Sequence, residues 1–198
     1  MRETARLSLL LAAICAVCGA LLVFVDGRTS AARKATAARK LAASAEALFG
    51  VAAGGPVSFE RRDAPGGGTV FVLRDMRRNP SFAGAAIVGT SQHGYAGEIK
   101  LLVAFDADGR LVDFNLLEGH ETPGLGAKIA RPDFRRGFAG RPFNGTWKVR
   151  KDGGDIDAVT SATISSRAAA EAVADAASRF EGVRAAALAG MQADGEGN

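Results

Sequence analysis

Hydrophobic positions run unbroken near the start of the chain and alternate with polar ones in its middle. Leu7 to Val25 carries no charged residue and is about long enough to cross a bilayer as a helix. In Glu98 to Leu117, Ile99, Leu101, Val103 and Phe105 lead into the turn Asp106-Ala107-Asp108-Gly109, and Leu111, Val112, Phe114, Leu116 and Leu117 return. That spacing predicts a β-hairpin with one buried face. Shorter strands are expected at Val57 to Arg61, Thr69 to Leu73, Ala85 to Gly89 and Thr146 to Arg150. Thr29 to Phe49 is rich in helix formers, with Leu41, Ala45 and Leu48 on one face, and the Ala-rich run Arg167 to Phe180 predicts a second long helix. Helical and loop signals fill Gly126 to Gly140. The fold class is α+β: a single N-terminal transmembrane helix, then one domain in which an antiparallel sheet is flanked by helices. The expected divisions are residues 1–6 ahead of the anchor, 7–25 the anchor, 26–55 a helical linker, 56–190 the domain and 191–198 a polar tail.

Composition narrows the partners. A chain of 198 residues, 47% hydrophobic and 23% charged, folds around a core. The net charge of +4 is spread in pairs such as Arg33-Lys34, Arg39-Lys40 and Arg135-Arg136, with no basic stripe interleaved with aromatics. That excludes nucleic acid as a partner, whereas the pairs after residue 25 suit anionic lipid headgroups. Cys15 and Cys18 lie inside the apolar run without further ligands nearby, so they read as small apolar side chains rather than a redox or zinc pair. Asp26-Gly27-Arg28 stands where a cleaved signal would carry small residues, which favours an uncleaved anchor. Arg28, Arg33, Lys34, Arg39 and Lys40 oppose Arg2 and Arg6, so charge leaves the orientation open.

Chemistry concentrates in two places. Asp157-Ala158-Val159-Thr160-Ser161-Ala162-Thr163-Ile164-Ser165-Ser166 puts hydroxyls and a carboxylate where the last helix begins. A helix start offers unpaired N–H groups and the positive end of the dipole, so the stretch is either a heavily capped terminus or an anion site. Glu118-Gly119-His120-Glu121-Thr122-Pro123-Gly124-Leu125-Gly126 follows the hairpin. It reads either as a tight connection or as a loop whose glycines let the backbone approach a planar cofactor. The only histidines are His93 and His120. A metal held by His120, Glu118 and Glu121 is the weaker reading against a solvated cluster, and His93 sits in an expected turn with no role assigned. Ser161, His120 and Asp157 contain the residue types of a hydrolase, but no Gly-x-Ser-x-Gly elbow presents the serine. Ala64-Pro65-Gly66-Gly67-Gly68 lacks the Gly-Lys-Ser/Thr ending of a phosphate loop.

Gly94-Tyr95-Ala96-Gly97-Glu98-Ile99-Lys100, the hairpin, Glu121 to Gly126 and Asp157 to Thr163 occur together in this order behind an N-terminal anchor. This combination resembles the family of FMN-binding G subunits of the Rnf electron-transport complex, and their relatives, the C subunits of the sodium-pumping NADH:quinone reductase. The resemblance implies FMN attached covalently through its phosphate to Thr163, the last residue of a motif like Asp-x-x-(Ser/Thr)-Gly-Ala-Thr, with Ser161 where the family often has glycine. It implies a redox carrier rather than a stand-alone catalyst. A separate magnesium-dependent flavin transferase is expected to deliver FMN from FAD, with Asp157 orienting the hydroxyl or the metal. Thr160, Ser161 and Ala162, with Ser165 and Ser166, are the expected neighbours of the phosphate, and Glu121, Thr122, Gly124 and Leu125 those of the ring. The partners implied are the integral-membrane subunits of an ion-translocating complex and the lipid bilayer. The implied location is the bacterial inner membrane, single-pass, with the FMN domain on the periplasmic side. Two alternatives stand beside this: a quinone-reductase flavin subunit or other extracytoplasmic flavin carrier, and a cofactor-free anchored adaptor.

Overall fold

The computed structural model describes residues 2–50, 57–63, 68–76, 81–119 and 126–196. Helix α1 runs over Arg2–Gly50, and the chain divides into two compact units, Met1–Ala42 and Ala43–Asn198. Within the first unit, Leu11–Ser30 is long and apolar enough to cross a membrane, close to the expected 7–25, and its side chains are exposed. Leu21, Leu22, Val23 and Phe24 are all among them, as a helix surrounded by hydrocarbon requires.

The second unit is built on a five-stranded antiparallel meander in the order β1 (Val57–Asp63), β2 (Thr69–Asp75), β3 (Ser81–Gly94), β4 (Gly97–Asp106) and β5 (Leu111–Glu118). The register is set by pairs such as Phe71↔Ala86, Ile87↔Val103 and Val103↔Phe114. The β4–β5 turn is closed by Asp106, whose carboxylate accepts from the Asp108 and Arg110 amides, and Gly109 takes φ +77°. That geometry favours glycine, so the turn reads directly from the sequence.

Three expectations need correction. First, the hairpin is buried on two faces: Leu102 and Ala104 are as enclosed as Ile99, Leu101, Val103 and Phe105. β4 lies between β3 and β5, and the end of α1 joins this unit, where Ala45, Leu48 and Phe49 are buried and Phe49 lies 5.9 Å from Phe59. Second, the short apolar piece at Ala85 to Gly89 belongs to the much longer β3, which carries His93 inside the strand; the turn falls at Tyr95 and Ala96. Third, Thr146 to Arg150 does not form a strand. Only Val149 bridges, to Ile156, because the Gly153-Gly154 turn folds the chain back on itself and Arg150–Asp152 closes into a 3-10 turn.

After β5 come a 3-10 turn (Gly126–Ala130), the short helix α2 (Pro132–Arg135) and the long helix α3 (Thr163–Glu196), which continues into the stretch read as a polar tail. Ala168, Ala169, Ala172, Val173, Ala176, Ala177, Phe180 and Val183 face the core at helical spacing. Alanine combines the best helix propensity with the smallest side chain, so α3 lies close on the sheet. A Cβ at Gly89 would stand 1.9 Å from the Ala172 carbonyl oxygen, so only glycine fits beneath that turn. Polar groups fix the same seat: the Thr90 amide donates to Asp175 (2.9 Å), and Arg179 bonds both Asp175 and the Val88 carbonyl. Phe180 completes the core against Phe105 and Phe143, each 5.1 Å away between ring centroids.

Candidate functional site

Helix α3 begins at Thr163, and the first intrahelical bond runs from the Ser166 amide to the Ala162 carbonyl (3.0 Å). The amides of Thr163 and Ile164 therefore precede the helical ladder. The turn ahead of them is shaped by Ser166, whose side chain is fully buried. Its hydroxyl accepts from the Val159 amide (3.0 Å) and donates to the Ala162 carbonyl (2.9 Å), while the Ala162 amide closes back on Val159 (3.0 Å). Ser161 is forced into the left-handed region at φ +65°, the only non-glycine there among the described residues. Glycine would adopt that conformation without the steric cost that a Cβ brings.

The structure thus gathers Asp157, Thr160, Ser161, Ala162 and Thr163 into one turn, with distinct surroundings for each. Thr160 and Ser161 are exposed, Ala162 is buried and Thr163 is half-buried. Ser165 and Ser166 are buried, and the Ser166 hydroxyl is consumed in holding the turn, so it is not an open phosphate neighbour. Asp157 is exposed and its carboxylate accepts from Arg150 Nε at 2.6 Å. Glu121, Thr122, Gly124 and Leu125, with His120 and Pro123, lie outside the described residues. Of that segment's flanks, Gly126 is buried at the start of its 3-10 turn and Glu118 pairs with Lys100 (2.8 Å).

Several residues around Thr163 belong to no sequence motif. Lys151 Nζ points at Thr163 Oγ1 from 3.5 Å. Its neighbour Asp152 is clamped by Arg167, Nε to Oδ2 at 2.5 Å and Nη2 to Oδ1 at 2.6 Å. The Arg167 hydrogen bonds and charge hold the Asp152 carboxyl below its usual range. Thr163, Arg167 and Glu171 recur every fourth position, which places them on one face of α3. Glu171 meets Ser91 Oγ (2.8 Å) and His93 Nδ1 (2.7 Å) from the end of β3. Burial pushes the Glu171 carboxyl up, but the hydrogen bonds from His93 and Ser91 outweigh it, and it titrates below its ordinary value. An ionised carboxylate only accepts, so His93 carries its proton on Nδ1. The one signal that could have found this face is the four-residue spacing; Lys151 and His93 offer none, because the contacts are non-local. An open cleft of about 360 Å³ lies against the same loop, lined by Arg141, Thr146, Gly153, Gly154 and Asp155.

A half-buried hydroxyl at the start of a long helix, faced by an ammonium group, has the donor set of a phosphoester site. Residues 94–178, which include this turn and the 121–126 segment, match the family model described as FMN-binding domain. The chain is 42% identical over 121 residues to the G subunit of the ion-translocating oxidoreductase complex of Salmonella typhi, covering 56% of this chain and 57% of that protein. Residues 94–178 of this chain are therefore similar to an FMN-binding domain. The G subunit of the ion-translocating oxidoreductase complex of Escherichia coli (strain K12) is 44% identical to this chain over 95 residues, 45% of this chain and 46% of that one. This chain thus spans about half the length of the curated relatives it matches. Among solved structures it is similar to the C subunit of the Na(+)-translocating NADH-quinone reductase of Parabacteroides distasonis, at 24% identity and a TM-score of 0.44, covering 59% of this chain and 62% of that one.

Proposed function

We propose that this chain is an electron-carrying flavoprotein subunit of a membrane-bound, ion-translocating oxidoreductase complex, with FMN joined through its phosphate to Thr163 Oγ1. The observation that carries the reading is the placement of Thr163. Its hydroxyl is half-buried at the first position of a 34-residue helix, on a turn whose backbone is locked from beneath. The match of residues 94–178 to an FMN-binding domain, and the similarity to relatives named as G subunits of such complexes, support it.

The residues fit the group. Thr163 supplies the ester oxygen, the helix start supplies backbone N–H groups and a positive dipole end, and Thr160 and Ser161 leave exposed hydroxyls beside it. A threonine hydroxyl is a weak nucleophile, so attachment requires a base and a metal from a flavin transferase. Oγ1 bonds to phosphorus, the anhydride bond of FAD breaks, AMP leaves, and the hydroxyl proton passes to the transferase. Asp157, exposed beside the turn, is the carboxylate offered for orienting the hydroxyl or the metal during that step. Glu121, Thr122, Gly124 and Leu125 are assigned to the loop near the ring. When bound, FMN supplies reversible electron transfer through its ring, and the chain acts as a carrier within a complex whose other members are integral-membrane subunits. The apolar segment of α1 anchors the chain in the inner membrane by a single pass, with the FMN domain on the periplasmic side.

Co-expression with a flavin transferase, followed by intact mass and in-gel flavin fluorescence, tests the attachment. The expected result is one FMN adduct in the wild type and none in Thr163→Ala. A wild type without the adduct, or a Thr163→Ala chain that keeps it, refutes the reading and leaves the anchored adaptor. A reporter fused after Gly190 and active only in the cytoplasm refutes the topology.

A further inference from the structure

We propose that Lys151 is the phosphate-holding residue of this site, an inference that rests on the attachment of FMN to Thr163 and goes beyond it by assigning the counter-charge. Lys151 Nζ lies 3.5 Å from Thr163 Oγ1. It is held there by construction. The Arg150–Asp152 turn is closed by the Asp152 amide on Val149 O (2.9 Å) and ended by Gly153 in the left-handed region. The double contact of Asp152 with Arg167 ties that turn to α3 one helical turn beyond Thr163.

Lys148 and Lys151 are the lysines near this turn that no ion pair matches among the described residues, both act on Asp152 through space, and only Lys151 reaches the Thr163 hydroxyl. Arg150 is paired with Asp157 and Arg167 with Asp152, whereas Lys151 makes no ion pair among the described residues. The first turn of α3 contains no acidic residue. An ammonium group at the positive end of a long helix is electrostatically unfavourable, because that end already carries about half a positive charge. A phosphodiester on Thr163 brings one negative charge into the space that both positive features face, and it offsets them. Lysine suits this task as a compact point charge on a flexible stem.

The same contact prepares the hydroxyl. An ammonium group only donates, so Thr163 Oγ1 accepts from Lys151 and directs its own proton elsewhere, toward the transferase that removes it. The Oγ1–phosphorus bond then forms as the FAD anhydride bond breaks, AMP leaves, and no electrons change hands. Lys151 stays protonated throughout and remains with the phosphodiester.

The test compares wild type, Lys151→Gln and Lys151→Arg as full chains co-expressed or incubated with the flavin transferase and FAD. Three quantities are read: the initial rate of flavin incorporation at limiting transferase, the phosphorus-31 resonance of the bound flavin before and after denaturation, and apo-protein melting. Lys151 is exposed, so all three apo forms are expected to melt together. Lys151→Gln should incorporate flavin roughly tenfold more slowly, the loss of about one charge-assisted hydrogen bond. Its phosphorus resonance should differ from wild type in the folded protein and coincide after denaturation. Lys151→Arg should recover most of the rate. A Gln variant with wild-type rate and resonance overturns the assignment, as does an Arg variant as impaired as Gln. A slower rate with an unmoved resonance also overturns it, because Lys151 would then be read by the transferase alone. A wild type that takes up no flavin is a different result: it removes the attachment reading and this inference with it.

Discussion

Ser166→Ala isolates the device that shapes the attachment turn. The side chain is fully buried, and its hydroxyl accepts from the Val159 amide and donates to the Ala162 carbonyl. Truncation leaves the half-buried Val159 N–H without a partner, which costs about 1–3 kcal/mol. The Ala162 carbonyl loses little, since the Ser166 amide still bonds it at 3.0 Å. Alanine's better helix propensity returns a few tenths of a kcal/mol. The net loss is about 1–2 kcal/mol, which for a folded unit of this size lowers the melting temperature by roughly 3–6 °C. Circular-dichroism melting of the full chain in detergent measures it, with the exposed Thr160→Ala as a control expected to stay near wild type. Because the lost bond is local, flavin incorporation should also fall at temperatures well below melting. A Ser166→Ala protein that melts with the control and incorporates flavin normally refutes the role given to this hydroxyl.

Ser161→Gly should stabilise the chain. A left-handed residue with a Cβ costs about 1–2 kcal/mol, and glycine gives back about 0.5–1 kcal/mol through its freer unfolded chain, so a small rise in melting temperature is expected. Ser161→Val should lower it instead, and melting curves of the two variants decide. Acid should weaken the β3–α3 contact. The Glu171 carboxyl is depressed from its ordinary value of 4.5, so its contribution is present above that pH and is lost as pH falls through the lower folded value. Stability measured from pH 6 down to about pH 3 should therefore show a shallower acid limb in Glu171→Gln than in wild type.

Those parts of the fold whose signals are local could be read along the chain. The Asp106-Gly109 turn lies between alternating strands, and the apolar segment of α1 is uninterrupted, so both are legible without tertiary information. β3 is not, because it is composed largely of small residues. Gly84, Ala85, Ala86 and Gly89 have weak strand propensity and are extended because β2 and β4 pair with them on either side. The expected strand at Thr146 to Arg150 failed for the opposite reason: a local glycine turn folds the segment back, so that Val149 bridges only to Ile156. At the site, Thr163 and its hydroxyl-rich turn stood out as residue types, and Ser161 marked a backbone constraint. Lys151, Arg167 and His93 acquire meaning only through contacts that span 12 or more residues, and no spacing along the chain announces those.

Glycine at position 89 bears on how the attachment point is aimed. With the Ala172 carbonyl seated where a Cβ would otherwise stand, α3 is fixed to the sheet at that turn. Thr163 lies nine residues earlier, about 13 Å up the helix axis. Its direction around the axis is therefore a matter of residue count. Inserting or deleting one residue between Thr163 and Ala172 would leave the seat intact and swing the hydroxyl by about 100°, away from Lys151 and the turn that carries it. Sequence changes in this first part of α3 are constrained by length more tightly than by the chemistry of the residues substituted.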